Sequence, residues 1–409
     1  MANELKGARI HGMKALRGPF LPDLPRFYRL MCPVEKTSFS ASELASRCWA
    51  EVDLGALRGN LAAIRQHCSP GVALMAVVKA NAYGHGVRSV VETLLEGAEM
   101  FGVANLAEAR ELKAQVSPRR IFILGPALPE ERREIAESGF VPAVSGYEEA
   151  AAYSSFAGPG GGMALHLAID TGMGRIGTWQ DDALGAAEAI SGLPGVRLEG
   201  VATHLPVADE DDEFTRAELE RFGGLVEELA ARGVSPRWIH SENSAGVIGF
   251  PQQAGNMVRV GLALYGSSPR PEFQDRVRAV LTWKTRVTLV RELGPGRGVS
   301  YGRTYMTPRR MRVATLAVGY ADGFQRHLSG SGAEVLVRGQ RCPILGRVTM
   351  DQVMVDVSGL PEVQAGEEVV LIGRQGREEI TAAELAAKSG SIAWEIFTGI
   401  GARVARHCV

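Results

Sequence analysis

The sequence predicts an α/β protein, a (β/α)8 TIM-type barrel followed by a smaller, mostly β C-terminal domain. Two observations support this fold. From about residue 70 to 262, eight short apolar runs alternate with segments of helical periodicity, as in a barrel. Beyond about residue 280, the apolar runs are β-branched and are separated by short glycine turns. The chain has 409 residues, enough for both domains.

The barrel prediction depends on the order and spacing of the eight runs. The spacers between them have helical patterning, and Phe214–Ala231, for example, has apolar residues three and four positions apart. In such a barrel the active site lies at the carboxyl ends of the strands. The predicted strands are Ala73–Val78, Met100–Val103, Ile121–Leu124, Val141–Val144, Ala164–Ile169, Val196–Ala202, Trp238–Ser241 and Met257–Val260.

The second domain is predicted at residues 281–409, and the barrel at 47–280. The early segment Cys48–Val52 resembles one further strand, so residues 47–53 could pair with the C-terminal domain. Residues 1–46 are expected to form a flexible N-terminal extension. The C-terminal runs are Thr282–Val290, Arg312–Val318, Ala333–Val337 and Gln352–Val357, with a helix at Ala382–Lys388.

Composition excludes several classes of function. The 45 basic and 46 acidic residues nearly balance, with no basic stripe, so nucleic acid and anionic membranes are not expected partners. No apolar stretch is long enough to span a bilayer. The five cysteines lack CxxC spacing, which argues against a zinc site or a disulfide framework, and no metal is expected. A reduced, cytoplasmic setting fits this pattern.

Lys79 ends the first apolar run and is followed by a small, glycine-rich turn that contains Tyr83 and His85. Burying an ammonium group costs several kcal/mol unless it is paired or neutral. A neutral lysine is a nucleophile suited to an imine with an aldehyde cofactor. The alternative is a lysine that points to solvent, and the spacing alone leaves both interpretations open.

Other candidate residues also follow predicted strands. Arg175 ends a glycine-containing segment after the fifth run, where its planar fork would suit a carboxylate, although a solvated surface arginine is equally compatible. Ser244 and Gly261 follow the seventh and eighth runs, where barrels often bind phosphate, although Ser244 could simply cap a helix. His204, after the sixth run, could be purely structural.

Together these segments resemble the bacterial alanine racemases, fold-type III enzymes that use pyridoxal 5'-phosphate. The resemblance extends from about Trp49 to Arg406, and the lysine segment at 76–86 is its most specific part. Four further matches occur in the same order along the chain, at Asp170–Gly177, Val299–Tyr305, Val318–Phe324 and Gly346–Val357.

The resemblance implies interconversion of L-alanine and D-alanine by two-base proton transfer at Cα, supplying D-alanine for peptidoglycan. Lys79 would hold the cofactor as an imine and act as base on the D-enantiomer. Tyr301, contributed by the second subunit of a homodimer, would be the base for the L-enantiomer. Arg175 would contact the substrate carboxylate and the cofactor's phenolic oxygen. Met350, also from the second subunit, would make a backbone contact to substrate.

The resemblance also assigns the cofactor-binding residues. Arg259 would face the pyridine nitrogen, and His204 would link Arg259 to Tyr301. Because an arginine does not give up its proton, that nitrogen would stay unprotonated, which limits the ring as an electron sink. The phosphate would be bound by Tyr83, Ser244, Gly261, Leu262 and Trp394.

Two positions depart from the family pattern. Many members carry a carbamylated lysine where this chain has Ala168, so we hypothesise that a water, a small anion or another side chain holds Arg175. Trp394 stands where many members have a tyrosine. Its indole N–H can donate to phosphate but cannot accept, and its bulk predicts a small-substrate pocket.

Three alternatives stay open. A fold-type III decarboxylase shares the lysine segment only loosely. A broad-specificity racemase is usually exported, whereas a cytoplasmic setting is expected here. A non-catalytic pyridoxal phosphate-binding barrel would lack the C-terminal domain, which here carries Tyr301 and Met350.

Overall fold

The computed structural model describes residues 46–116, 120–156, 162–251 and 255–409. The extension expected at residues 1–46 therefore lies outside the described residues, except for Ser46. The chain enters the described part through a short strand, β1 (Cys48–Val52), and continues into the barrel.

The barrel contains all eight predicted strands, joined in parallel in the order β10-β2-β3-β4-β5-β6-β8-β9. The gap between β9 and β10 is bridged by hydrogen bonds from Asn256 N–H to the Ile239 carbonyl and from Arg259 N–H to the Glu242 carbonyl, both 2.9 Å. A short strand that was not predicted, β7, pairs with β6. The strands are β2 (Ala73–Val77), β3 (Met100–Val103), β4 (Ile121–Ile123), β5 (Val141–Val144), β6 (Met163–Asp170), β7 (Thr178–Trp179), β8 (Val196–Ala202), β9 (Trp238–His240) and β10 (Met257–Val260).

Five of the helices in the described ranges begin at a polar side chain that caps the first turn. Asp53, Asn105, Asp211, Asn243 and Thr381 each accept the backbone N–H three residues further on, which satisfies one unpaired donor of the first turn. The helices are α1 (Leu54–His67), α2 (Lys79–Tyr83), α3 (Val87–Leu94), α4 (Leu106–Gln115), α5 (Arg132–Ser138), α6 (Tyr147–Ser154), α7 (Ala183–Ser191), α8 (Asp212–Ala231), α9 (Ser244–Gly249), α10 (Ala382–Ser389) and α11 (Ala393–Gly399).

The C-terminal region forms a second, mixed sheet in the order β19-β18-β15-β16-β17-β14-β11-β1-β20. β11 is long enough to pair with three strands, β1, β14 and β18. Besides β1, the strands of this sheet are β11 (Leu281–Leu293), β14 (Met311–Leu316), β15 (Glu334–Val337), β16 (Gln340–Leu345), β17 (Val353–Asp356), β18 (Glu368–Gln375), β19 (Glu378–Ile380) and β20 (Ala405–Cys408). β12 (Gly298–Val299) and β13 (Tyr305–Met306) pair with each other in a separate two-stranded sheet.

β1 precedes the barrel in the sequence but belongs to this second sheet. It pairs antiparallel with β11, with Ala50 opposite Trp283, and parallel with β20, with Ala50 opposite Arg406. Both Ala50 and Trp283 are buried in the core of the second sheet. The first and last strands of the described chain therefore fix the two domains to each other.

The interior of the barrel has an apolar layer and a polar one. Met75, Met100, Phe122 and Met257 are among the buried residues of the apolar cluster inside the strands. His166 and His240 are fully buried beside Phe122, with ring centroids 4.8 and 5.8 Å from its ring. None of the helices in the described ranges is long and apolar enough to cross a membrane.

Candidate active site

A cavity of about 330 Å³ opens at the carboxyl ends of the barrel strands. Its wall combines apolar side chains with a small number of polar ones, as in most sites for small molecules. Nine of the eleven residues predicted to form the site line this cavity, namely Lys79, Tyr83, Arg175, His204, Ser244, Arg259, Gly261, Leu262 and Trp394. The two that do not are Tyr301 and Met350.

Lys79 follows β2 after one residue, Val78, and its partly buried side chain lines the cavity. Burial lowers the pKa of the Lys79 amine, and the nearby charges of Arg175 and Arg259 lower it further, while Glu108 opposes them. Both burial and like charge favour the neutral amine, which is the nucleophilic form.

The turn after Lys79 is left-handed although glycine is absent from it. Residues 80–83 all have φ between 52° and 54°, which costs about 1–2 kcal/mol per residue when a Cβ is present. Groups on both domains hold it in place. Glu108 accepts the Ala80 N–H at 2.9 Å, and Arg406 of β20 donates to the Gly84 carbonyl at 2.9 Å. The turn thereby directs Tyr83 to the cavity that Lys79 lines.

Arg259, in β10, is buried, and both of its terminal nitrogens are engaged. Nη1 donates to His240 Nδ1 at 2.8 Å and to the His240 carbonyl at 2.7 Å. Nη2 donates to the carbonyls of Thr203 at 2.6 Å and Ser241 at 3.1 Å, and it lies 3.2 Å from His204 Nδ1. Within the described ranges, Nε–H has no hydrogen-bond partner, so it is the donor left for a ligand.

His204 is held in one neutral form. Burial, followed by the charges of Arg259 and Arg175, lowers its pKa to about 3. Because a guanidinium can only donate, His204 Nδ1 must accept from Arg259, and the ring proton must be on Nε2. His204 therefore presents an N–H donor on the side of its ring away from Arg259.

Ser244, Gly261 and Tyr83 form a small cradle at one end of the cavity. Ser244 Oγ accepts the Gly261 N–H at 3.1 Å and the Ala263 N–H at 3.4 Å. A Cβ on Gly261 would lie only 2.4 Å from Tyr83 Oη, so only glycine permits this approach. Burial raises the pKa of Tyr83 to about 12, so its hydroxyl stays a hydrogen-bond donor. The hydroxyls of Tyr83 and Ser244 are two donors close to a glycine backbone, an arrangement that suits a phosphate.

Arg175 is presented by a rigid loop after β6. Asp170 Oδ1 accepts the backbone N–H groups of Gly172, Met173 and Gly174 at 2.9 to 3.1 Å, and Oδ2 accepts that of Arg175 at 3.1 Å. The Arg175 guanidinium makes no hydrogen bond or ion pair with any residue that the structure describes. No described acidic side chain therefore replaces the family carbamate near Ala168, and the water or small-anion hypothesis remains.

Tyr301 and Met350 lie on the surface of the second domain, with 72% and 52% of their surface exposed. The Tyr301 loop joins β12 to β13 and is fixed by the Ser300 hydroxyl, which donates to the Arg347 carbonyl at 2.6 Å. The Met350 carbonyl accepts the Ala321 N–H at 3.0 Å, which fixes the backbone at this position.

Sequence analysis missed two residues that support the site. Tyr265 is buried, donates to the Val77 carbonyl at 3.0 Å and stacks on Tyr83 with ring centroids 4.9 Å apart. His240 is the main partner of Arg259 Nη1. Their positions were the available signal, since His240 ends the seventh barrel strand and Tyr265 follows the eighth by five residues.

Comparisons with known proteins agree with this geometry. The family models for the alanine racemase N-terminal and C-terminal domains match residues 52–269 and 280–408. An alanine racemase of Symbiobacterium thermophilum is 45% identical over 363 residues, covering 88% of this chain and 96% of the relative. One from Halothermothrix orenii is 40% identical over 364 residues, with the same coverage of both chains.

A solved structure supports the same relationship. The alanine racemase from Bacillus anthracis, crystallised with bound L-Ala-P, superposes with a TM-score of 0.82 at 38% identity, covering 89% of this chain and 95% of that one. Because both domain models match in order and close relatives align along almost their whole length, the chain belongs to the alanine racemase family.

Proposed function

We propose that this chain interconverts L-alanine and D-alanine as a cytoplasmic, pyridoxal 5'-phosphate-dependent homodimer. The observation that carries the proposal is the position of Lys79. Its amine, whose pKa is lowered by burial and by Arg175, lines the same cavity as Arg175 and Arg259. A neutral lysine beside two guanidinium groups suits an anionic aldehyde cofactor and a substrate carboxylate.

The residues of the cavity fit pyridoxal 5'-phosphate. The cradle of Ser244, Gly261 and Tyr83 would hold the phosphate, with Leu262 and the Trp394 indole beside it. The Nε–H of Arg259 is the unpaired donor that would meet the pyridine nitrogen. When bound, this cofactor supplies the electron sink that makes the Cα proton of an amino acid acidic.

Two bases on opposite faces of Cα would carry the proton transfer. The Lys79 amine would remove or return the proton on one face, and the Tyr301 hydroxyl of the second subunit would do so on the other. His204 Nε2–H would donate to that hydroxyl, which favours its deprotonated form. Arg175, with no protein partner for its guanidinium among the described residues, would bind the substrate carboxylate in a bidentate manner.

The homodimer is supported by the two predicted residues outside the cavity. A tyrosine that is 72% exposed on a fixed loop has no role in its own chain's cavity, yet proton transfer from the second face requires a second base. Met350 is similarly exposed on the same domain. A monomer would therefore have only Lys79, and racemisation would need a second chain.

The expected substrate is a small amino acid. Trp394 of α11 is partly buried between the cores of the two domains. Its side chain narrows the cavity that Lys79 and Arg175 also line. A single added group in such a pocket typically changes discrimination by about 10–200-fold. We therefore expect alanine to be turned over faster than serine, and lysine to be excluded.

Chiral chromatography of cofactor-loaded protein incubated with L-alanine, L-serine or L-lysine tests the proposal. Accumulation of D-alanine toward an equal mixture, with little product from the other two, is the expected result. Comparable turnover of all three would replace alanine specificity with broad-specificity racemisation and point to Ala168 and Trp394. Release of carbon dioxide without any D-product would instead indicate a decarboxylase.

A further inference from the structure

A line of buried polar side chains runs through the barrel interior from the cavity toward the opposite end of the strands. It starts at Arg259 in β10, passes through His240 in β9 and His166 in β6, and ends at Glu199 in β8. His166 and His240 are fully buried, and Glu199 is 3% exposed. Arg259 Nη1 lies 2.8 Å from His240 Nδ1, and His240 Nε2 lies 2.8 Å from His166 Nδ1.

Hydrogen-bonding capacity fixes every proton along this line. Arg259 can only donate, so His240 Nδ1 must accept, and the His240 proton is on Nε2. His240 Nε2–H must then donate to His166 Nδ1, which places the His166 proton on Nε2 as well. If either ring were protonated, its Nδ1–H would face the N–H donor of the preceding group, and no acceptor would lie between the two donors. Both histidines are therefore neutral, with the same tautomer.

The Glu199 carboxylate lies near the far end of the line. His166 Nε2 lies 3.7 Å from Glu199 Oε2 and has no hydrogen-bond partner in the described part of the chain. Burial opposes ionisation of Glu199, but its contacts with His166 and Arg120 outweigh burial and lower its pKa to about 2. The buried N–H of His166 thus points to a carboxylate that stays charged.

The local packing accommodates this arrangement. A Cβ on Gly200 would lie 2.6 Å from His166 Nδ1, so a glycine next to Glu199 provides the space for the ring. The ladder between β6 and β8 also shifts register between Leu165 and His166. An interior that only required filling would accept apolar residues at these positions without two buried rings and a carboxylate.

We propose that His166 and His240 form a directional hydrogen-bond relay that positions Arg259 in the cavity, with the charged Glu199 carboxylate beside the free N–H of His166 stabilising the far end electrostatically. This inference rests on the proposed function, because it gives the relay its role at the cofactor. The relay holds Nη1 on the barrel side, so the guanidinium cannot rotate, and the Nε–H edge remains toward the ligand. His166 and His240 line the floor of the cavity and Glu199 does not, and all three are assigned a positioning role because they act through Arg259.

Neutron diffraction of wild-type crystals grown in D₂O tests the relay without any assay of activity. Deuterium on Nε2 of both His166 and His240, with none on either Nδ1, is the expected result. Deuterium on Nδ1 of either ring would overturn the proposal. This readout stands apart from the proposed function, which the appearance of D-alanine tests independently.

Variants test whether the relay acts on the site. His166→Leu breaks the line, whereas Arg197→Ala removes a 2.9 Å ion pair to the same Glu199 carboxylate and leaves the line intact. We expect His166→Leu to lower kcat by about two- to tenfold, the worth of one hydrogen bond between neutral groups, with KM for alanine unchanged. The absorbance spectrum of the bound cofactor should shift in His166→Leu and stay unchanged in Arg197→Ala.

Glu199→Gln serves as the conservative variant if His166→Leu does not fold. Its amide oxygen can still accept from His166, so it should keep the wild-type spectrum more closely than Glu199→Leu. If all four variants showed the wild-type spectrum and kcat, or if Arg197→Ala matched His166→Leu, the line would be core packing and the proposal would be wrong.

Discussion

The two domains present their site residues in opposite ways. In the barrel, Arg259 is buried and held by five contacts to neighbouring groups, and Lys79 lies at the end of a strand beside a constrained left-handed turn. In the second domain, Tyr301 and Met350 are exposed, and neither lines the cavity. The barrel thus contains a preorganised half of the site, while the second domain exposes the two residues that the proposed function assigns to the site of another chain.

This difference separates a half of the site whose donors are already held in place from a half that lies on the protein surface. Preorganised donors in a buried cavity need no reorganisation during a reaction. Under the proposed function, the barrel half would bind the cofactor, and the exposed half would contribute only when a second chain covers it. We therefore expect changes in the barrel half to affect cofactor binding and both faces of Cα, and changes at Tyr301 to affect one face.

The largest expected effect is that of Lys79→Ala. Loss of the amine removes both the covalent attachment of the cofactor and one base, so kcat should fall by about 10⁴-fold or more. Chiral chromatography measures the loss, and absorbance reports whether the protein still forms the lysine-bound cofactor. Near-normal racemisation by Lys79→Ala would show that this lysine is not the attachment site.

Tyr301→Phe should abolish racemisation but spare one half-reaction. Without the second base, we expect kcat to fall by about 10² to 10⁴-fold, the usual contribution of a general base. In D₂O the variant should still exchange the Cα hydrogen of D-alanine through Lys79, without inversion. Mass spectrometry detects this exchange, and equal loss of exchange with D- and L-alanine would contradict the assignment of one base to each face.

Gly261→Ala should weaken cofactor binding without abolishing it. The added methyl group would lie 2.4 Å from Tyr83 Oη and displace the cradle, so the Kd for pyridoxal 5'-phosphate should rise roughly tenfold. Gly185→Ala in α7 is the matched control, because its Cβ would meet nothing within 4 Å. Fluorescence titration measures both. Equal Kd values for the two variants would mean that the cradle does not hold the cofactor.

Glu218→Gln should change stability in a pH-dependent way without a direct effect on the proposed chemistry. Burial raises the pKa of Glu218, behind the Arg175 loop, to about 7. The folded protein therefore holds this proton to higher pH than the unfolded chain, and wild-type stability falls as pH rises from about 4.5 to 7. Gln carries no charge and avoids this loss.

The measurement for Glu218→Gln is urea unfolding at pH 5 and pH 8.5, at one protein concentration. Relative to wild type, the variant should gain about 2 kcal/mol in free energy of unfolding at the higher pH compared with the lower. Thr215→Val, at a neutral buried position of the same helix, is the control and should show no such difference between the two pH values. A pH-independent difference for Glu218→Gln would mean that its carboxyl does not titrate as the structure indicates.

The barrel was predictable because its signal is local. Eight buried runs such as Ala73–Val77 and Met257–Val260 alternate with helical spacers, and the carboxyl ends of parallel strands must meet. Lys79, Arg175 and Arg259 follow that rule, and the sequence therefore brought them together. The pairing of Cys48–Val52 with Leu281–Leu293 joins distant segments, and only the β-branched pattern suggested it.

Other features could not be read from the sequence. The left-handed turn at residues 80–83 contains no glycine in its strained positions, so the usual signal of positive φ is absent. His240 and His166 resemble ordinary core residues until the direction of their hydrogen bonds is known. The prediction that Tyr301 serves a second chain came from family resemblance. The sequence alone could not supply it, because the exposure of a side chain becomes visible only in three dimensions.

The central claim is that each site is built from two chains, and paired heterodimers test it directly. A dimer with one Lys79→Ala chain and one Tyr301→Phe chain, purified by two tags, keeps one intact site only if Tyr301 acts across subunits. We expect about half of the wild-type activity per dimer, since one of two symmetric sites survives. The control pairs a wild-type chain with the double variant and should be inactive. An inactive first heterodimer together with a half-active control would instead locate the complete site within one chain and contradict the account.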